Sequence, residues 1–158
     1  MTDQSYLTKD LKRYYLLDFE QVLLLKDPFW GIPEPFLRTV LTEINNSENI
    51  QSLYSKIKKE DAIEDEESYL VIAYSDHIEN ELKERLNQLL LLFPNETVNI
   101  DLMPPSENLN KGPINYEIGV INNVNYFKLF HFRITFVAEK YREHLLFWQT
   151  IKNLLIKF

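Results

Sequence analysis

The sequence contains no cysteine. That removes disulfides, thiolate metal sites and a thiol nucleophile together, and it fits a chain kept in the reducing cytoplasm. Glycine is nearly as scarce, with three in 158 residues, which argues against glycine-rich phosphate cradles, flexible linkers and collagenous repeats. Cationic side chains are outnumbered: 17 Lys and Arg face 24 Asp and Glu, a formal charge of −7. Affinity for nucleic acid or an anionic membrane surface comes largely from cations meeting phosphates, so neither is an expected partner. No apolar run approaches the roughly 20 residues that cross a bilayer. Leu16, Leu17 and Val22 to Leu25 are interrupted by Asp18, Glu20 and Lys26. The first residues carry Asp3 and no basic stretch leading into an apolar core, so no secretory signal is expected.

What is present is the composition of a folded domain, 45% hydrophobic and 13% aromatic, at a length that can bury a core without staples. One globular domain over 1–158 is expected, with a helix and connector over 1–30 and a strand and helix over 128–158 flanking a central part over 31–127. Leu7, Leu11, Tyr14, Tyr15 and Phe19 recur at helical spacing and predict an amphipathic helix over 8–25. It stops at Asp27-Pro28, and Pro35 suits the first turn of a second helix with Phe36, Leu37, Val40, Leu41 and Ile44 as its apolar face.

The segment from Ile50 to Ile57 carries two signals. Ile50, Leu53, Tyr54 and Ile57 match helical spacing, yet as a strand it would pair with Tyr69 to Tyr74 across an acidic loop. We read it as a strand. Tyr69 to Tyr74 is a continuous apolar run, the pattern of a central strand covered on both faces. Asp76 with Glu79 resembles a capping box opening a helix whose stripe is Ile78, Leu82, Leu86, Leu89, Leu90 and Phe93. Val98, Ile100 and Leu102 alternate with polar residues, so strand, helix and strand imply a right-handed parallel crossover. After a proline-bounded loop, Tyr116, Ile118 and Val120 alternate toward Asn122-Asn123, and alternation resumes from Tyr126 to Val137 as a second hairpin. Glu139 to Phe158 reads as a last helix with a broad apolar face. The expected fold is α+β: a single mixed sheet with two hairpins, one βαβ crossover, and flanking N- and C-terminal helices.

The run Gly31-Ile32-Pro33-Glu34-Pro35-Phe36-Leu37, then Val40-Leu41, Tyr69-Leu70-Val71-Ile72 and Val98-Asn99-Ile100-Asp101-Leu102 follows a familiar order. Over residues 31–127 it resembles the C-terminal domain of the SseB-like proteins, named for enhanced serine sensitivity. The resemblance implies a small bacterial α/β domain with a non-enzymatic role, and it brings no catalytic residues with it.

The chemistry must then be sought among single residues. His77, His131 and His144 are the only histidines, and no two stand at the i, i+4 spacing that presents a metal-binding pair on a helix. Surface or internally satisfied histidines are the expectation, with His144 beside Glu143 or Glu139 the nearest thing to a zinc or general-base fragment. Ser75 follows a strand and precedes a helix, where a nucleophile could sit, but Tyr74 and Asp76 replace the glycines that permit the strained elbow. No cofactor is expected.

Glu60, Asp61, Glu64, Asp65, Glu66 and Glu67 crowd a glycine-free hairpin tip. Such carboxylates serve glycosidases or calcium only against apolar walls or at fixed loop spacing, so a solvated acidic loop or an acidic partner surface is the reading. Phe147 and Trp148 exceed what a minimal core needs and complete the candidate partner surface. A C-terminal helix so apolar around its circumference is either inserted deeply or closed by a second copy in a homodimer. Together these features predict a non-enzymatic bacterial binding or regulatory protein, possible as an immunity-type protein, whose acidic surface meets a basic protein partner. The alternative is an enzyme or ligand binder with a pocket near Ser75, Asp101 and His131 at the strand ends.

Overall fold

A computed structural model describes residues 5–26, 31–64, 66–105 and 129–158. Helix α1 (Lys9–Leu24) starts at Thr8, whose hydroxyl accepts the Leu11 amide at 3.2 Å, satisfying one of the donors that every helix start leaves open. Helix α2 (Pro35–Asn45) has its proline in the first turn, where the missing N–H costs nothing. Strands β1 (Ile50–Lys56) and β2 (Glu67–Tyr74) form the first hairpin. One 3₁₀ turn, Asp76–Ile78, leads into α3 (Glu79–Leu92), and β3 (Val98–Met103) follows. After the segment 106–128, β4 (His131–Val137) and α4 (Tyr141–Leu155) complete the order.

The four strands make one sheet in the order β1-β2-β4-β3. Every neighbouring pair is antiparallel, which corrects the expected mixed sheet. The crossover is nevertheless present in split form: β2 and β3, joined through α3, run the same way with β4 inserted between them. The first strand of the expected second hairpin, around 116–120, lies outside the described residues.

Alternation along β2 divides the interior in two. Leu70, Ile72 and Tyr74 point into the larger core with residues of α2, α3 and α4, whereas Val71 and Ala73 point the other way, to Leu7, Tyr15 and Val22 around α1. The central strand is therefore covered on both faces, as its unbroken apolar run predicts. In β1 the register shifts between Ser52 and Tyr54. Ile50 and Ile57 serve the larger core while Leu53 serves the smaller one.

Asp76 lies inside the 3₁₀ turn instead of capping α3, and Ile78, the capping residue, makes no side-chain cap bond. The expected capping box is thus absent because the Glu79 carboxylate is engaged elsewhere: it accepts the Tyr74 hydroxyl at 3.1 Å and pairs with Lys83 at 3.3 Å. The last helix buries His144, Phe147, Trp148, Ile151 and Leu155. It is inserted into the fold.

Candidate functional site

Polar groups gather in two buried clusters, one half-buried cluster and one exposed loop. In the first cluster, the Ser68 hydroxyl on β2 lies 2.7 Å from His144 Nδ1 on α4, and His144 Nε2 lies 2.7 Å from the Ala138 carbonyl. A carbonyl only accepts, so Nε2 carries the proton, and in the neutral ring Nδ1 accepts from serine. Ser68 Oγ in turn accepts the Lys58 amide at 3.0 Å. This is the contact from which a serine nucleophile is activated, but both residues are 0% exposed. No substrate atom can reach them in this arrangement. His144 is internally satisfied, one of the two outcomes the sequence suggested, through Ser68 and the Ala138 carbonyl.

The second cluster joins α1 to the α2–β1 junction. Lys12 is buried, and its ammonium donates to Asn45 O at 2.8 Å, Ile50 O at 2.7 Å and Gln51 Oε1 at 2.7 Å. Burial pulls its pKa down to about 8, because a charge is disfavoured away from water. Asn45 also clamps Ser52, donating to its hydroxyl and accepting its amide, both at 2.7 Å. Nearly two turns along α1, Asp18 is buried beside Tyr15 and Tyr54, whose hydroxyls are pushed well above the ordinary tyrosine range by burial and then by the Asp18 carboxylate. Sequence periodicity missed Lys12 and Asp18. A signal existed, since Lys12 continues the buried stripe Tyr15, Phe19 and Val22 at helical spacing.

The third cluster sits where β2 runs into α3. Burial alone would raise the Glu79 carboxyl, but hydrogen bonds from Tyr6, Tyr74 and Lys83 hold it below the usual value. Tyr6 stacks on Phe130 with ring centroids 4.9 Å apart, and Tyr74 lies 5.0 Å from Phe132. Tyr74 is raised by burial first and then by its bond to Glu79. A carboxylate with two phenol donors and a lysine is satisfied; it staples the N-terminal segment and α3 to the sheet.

The exposed loop is the tip between β1 and β2. Glu60, Asp61, Glu64 and Glu66 are exposed and Glu67 is half-buried, while Asp65 lies outside the described residues. Lys58 is folded inward, 3% exposed, with its ammonium on the carbonyls of Lys59 at 3.0 Å and Ala62 at 2.9 Å. Ile63 is 90% exposed at the loop's apex. The Glu66 carbonyl accepts the Ala138 amide at 3.0 Å, which ties the loop's far side to the entrance of α4.

Phe147 and Trp148 belong to the candidate surface in the sequence reading, and the structure corrects that assignment. Both are 0% exposed, Phe147 stacked on Phe136 at 4.7 Å with rings 6° from parallel. They are core because the helical face they share with Ile151 and Leu155 is the one turned to the sheet. The strand-end residues are split by burial: His131 is buried with Nδ1 2.9 Å from the Leu129 carbonyl, and Asp101 is exposed. Burial lowers the His131 pKa, against the opposing pull of that carbonyl. His77 is exposed on the 3₁₀ turn. Among the described residues no group of three His, Asp or Glu side chains is placed to hold a metal ion, and no helix is long and apolar enough to cross a membrane.

No family model, no curated protein and no solved structure matches this chain.

Proposed function

We propose that this is a non-catalytic bacterial protein-binding module, cytoplasmic and of adaptor or immunity type, whose contact surface is the β1–β2 tip. The observation that carries the reading is the way the tip is built. Its lysine at 58 is drawn under the loop onto backbone carbonyls, which holds the loop in one shape while Glu60, Asp61, Glu64 and Glu66 face solvent around Ile63. Over 56–67 three lysines stand against six carboxylates, a net charge of −3. A protruding apolar side chain within a charged ring has the form of an interface anchor with a polar rim. The complementary partner is a protein with an apolar notch bordered by Lys or Arg. Charge of this kind accelerates encounter and is screened by salt.

Ser68, His144 and Lys12, the buried groups that could act chemically, are hydrogen-bonded in the interior, which supports the non-enzymatic half of the reading. The proposal retains the SseB-like resemblance as its family expectation. A salt series of affinity capture with the wild-type chain, the triple variant Glu60→Lys, Asp61→Lys, Glu64→Lys, and Ile63→Ser tests it. A captured protein should require both the carboxylates and Ile63 and should weaken as salt rises. Capture that is equal for all three chains, or none at any salt, would sink the reading.

A further inference from the structure

We propose that Ser68 and His144 form a proton-sensitive latch that fixes the shape of the acidic tip. The latch is regulation of the surface assigned above, and rests on that reading for its consequence but not for its chemistry. Three hydrogen bonds run in one direction: Lys58 N–H to Ser68 Oγ at 3.0 Å, Ser68 Oγ–H to His144 Nδ1 at 2.7 Å, and His144 Nε2–H to Ala138 O at 2.7 Å. The first bond begins in the tip and the last ends beside the Ala138 amide that holds the tip's Glu66 carbonyl. The two end bonds have fixed directions, because the amide can only donate and the carbonyl can only accept, and the serine hydroxyl between them donates to a neutral ring. With the middle bond in this direction the imidazole is the neutral form, protonated on Nε2.

A second proton on Nδ1 reverses the middle bond. Two donors, Nδ1–H and Lys58 N–H, would then face the same serine oxygen, and the displaced hydroxyl proton would need another acceptor in a site with 0% exposure. A new charge would be placed there as well, which is unfavourable unless water enters. The elements around the ring differ in how readily they can yield. On β4, Phe136 presents a ring 4.9 Å from His144 and is itself stacked on Phe147. On β2, Glu67 is next to Ser68 but alternation turns it to the opposite face. On α4, Glu143 is exposed, and Tyr141, raised by burial and then by Glu34 and Glu60, lies one turn before the ring. From the loop, the Lys58 ammonium is committed to the carbonyls of Lys59 and Ala62. The strands and α4 are held by packed aromatics, whereas beyond the buried Ile57 the tip is tied to the fold through the hydrogen bonds of Lys58, Ser68 and Glu66. It is the part that opens, as low-stability segments do.

The test is amide exchange by NMR on the full chain, expressed as protection relative to the intrinsic rate at each pH, with the His144 ring nitrogens followed in parallel. As pH is lowered from about 8, protection of the Lys58 amide should fall roughly tenfold or more at the pH where the His144 ring nitrogens report protonation, while that of Ile72 does not. His144→Asn keeps an acceptor for Ser68 and cannot titrate, so its Lys58 protection should be flat. Ser68→Ala should be poorly protected and flat at both ends, which keeps the test alive if His144→Asn does not fold. Wild-type protection that is constant, that falls without His144 titrating, or that falls equally in either variant overturns the latch. Failure of capture under conditions where Lys58 protection is at its maximum would sink the contact-surface reading alone, since the latch is then closed.

Discussion

The Lys12 ammonium lies 2.7 Å from the backbone oxygen of Ile50, on the far side of the α1–β1 seam. With Asn45 O and Gln51 Oε1 it meets three acceptors for its three protons. The ammonium thus sits as an internal cation among oxygens, and its effect on stability depends on pH in a way that can be measured.

The sign follows from the lowered pKa. Lys12 titrates at about 8 in the fold and near the ordinary ~10.4 when unfolded. Between those values the unfolded chain binds more protons, so stability rises with pH through that window, by at most roughly 3 kcal/mol. Tyr15 and Tyr54, raised by burial, act oppositely: their contribution is present below pH about 10 and is lost above it. Urea midpoints at pH about 7.5 and about 9.5 should therefore show a gain in the wild type. Lys12→Met should lack that gain and be less stable at both, because three buried oxygens lose their donor.

Glu79 carries an acid-side counterpart. Hydrogen bonds hold its carboxyl below the usual value, so the stability it contributes is present above the unfolded pKa of ~4.3 and is lost as pH falls through the folded one. Chemical denaturation of wild type and Glu79→Gln at several pH values should show a gap near pH about 6 that closes by pH about 3. A gap of constant size would mean that the Tyr6 and Tyr74 hydroxyls do not distinguish the carboxylate from an amide.

Glu96 is the one described residue other than glycine with positive φ, at 70°. It stands in the tight turn where Thr97 donates through both its amide and its hydroxyl to the Pro94 carbonyl. A side chain in this region costs energy that glycine avoids. Glu96→Gly should raise stability by roughly 0.5–1 kcal/mol, read from thermal or urea midpoints.

Two aromatic substitutions in α4 should differ sharply. Phe147→Ala opens a cavity against Phe136 and Phe93 and should cost roughly 3–5 kcal/mol. Trp148 Nε1 is buried with no acceptor among the described residues. Trp148→Phe removes that unmet donor along with some packing, so its net cost should be smaller, about 2 kcal/mol or less. Leu146→Lys, at a position 59% exposed, should change stability by no more than about 0.5 kcal/mol. Light scattering of this last variant also tests the homodimer expectation: a dimer held by the outer face of α4 would dissociate.

The elements whose apolar pattern obeys one period were legible in the sequence. Of the stripe expected for α3, Ile78, Leu82, Leu86 and Leu89 are buried and Phe93 packs against the same core while Leu90 is 43% exposed, and Phe132, Ile134 and Phe136 share one face of β4. The ambiguity over Ile50 to Ile57 has a structural cause. The shift after Ser52 places Leu53 and Tyr54 with the smaller core, and that one irregular step makes a strand's apolar residues fall at helical intervals. On α1 the buried face contains Lys12 and Asp18, so a search by hydrophobicity rotated the helix toward Tyr14, which is 55% exposed. The α4 aromatics looked excessive because the sequence gives no count of the partners they meet: Phe147 packs on Phe93 after α3 and on Phe136 in β4, two elements remote in sequence from each other. Pairing Ser68 with His144 was beyond reach for the same reason. Only the insertion of β4 beside β2 sets Ala138 and α4 over the hairpin base.

That strand order also governs how the molecule can come together. β1 and β2 are neighbours in sequence and can pair locally, but β2 must wait for β4, which arrives only after α3, β3 and the segment 106–128. Closing so long a loop is an entropic hurdle that local pairing does not face. Until it is cleared, β2 presents an open apolar edge, and the hairpin tip has neither Ala138 nor His144 to anchor it.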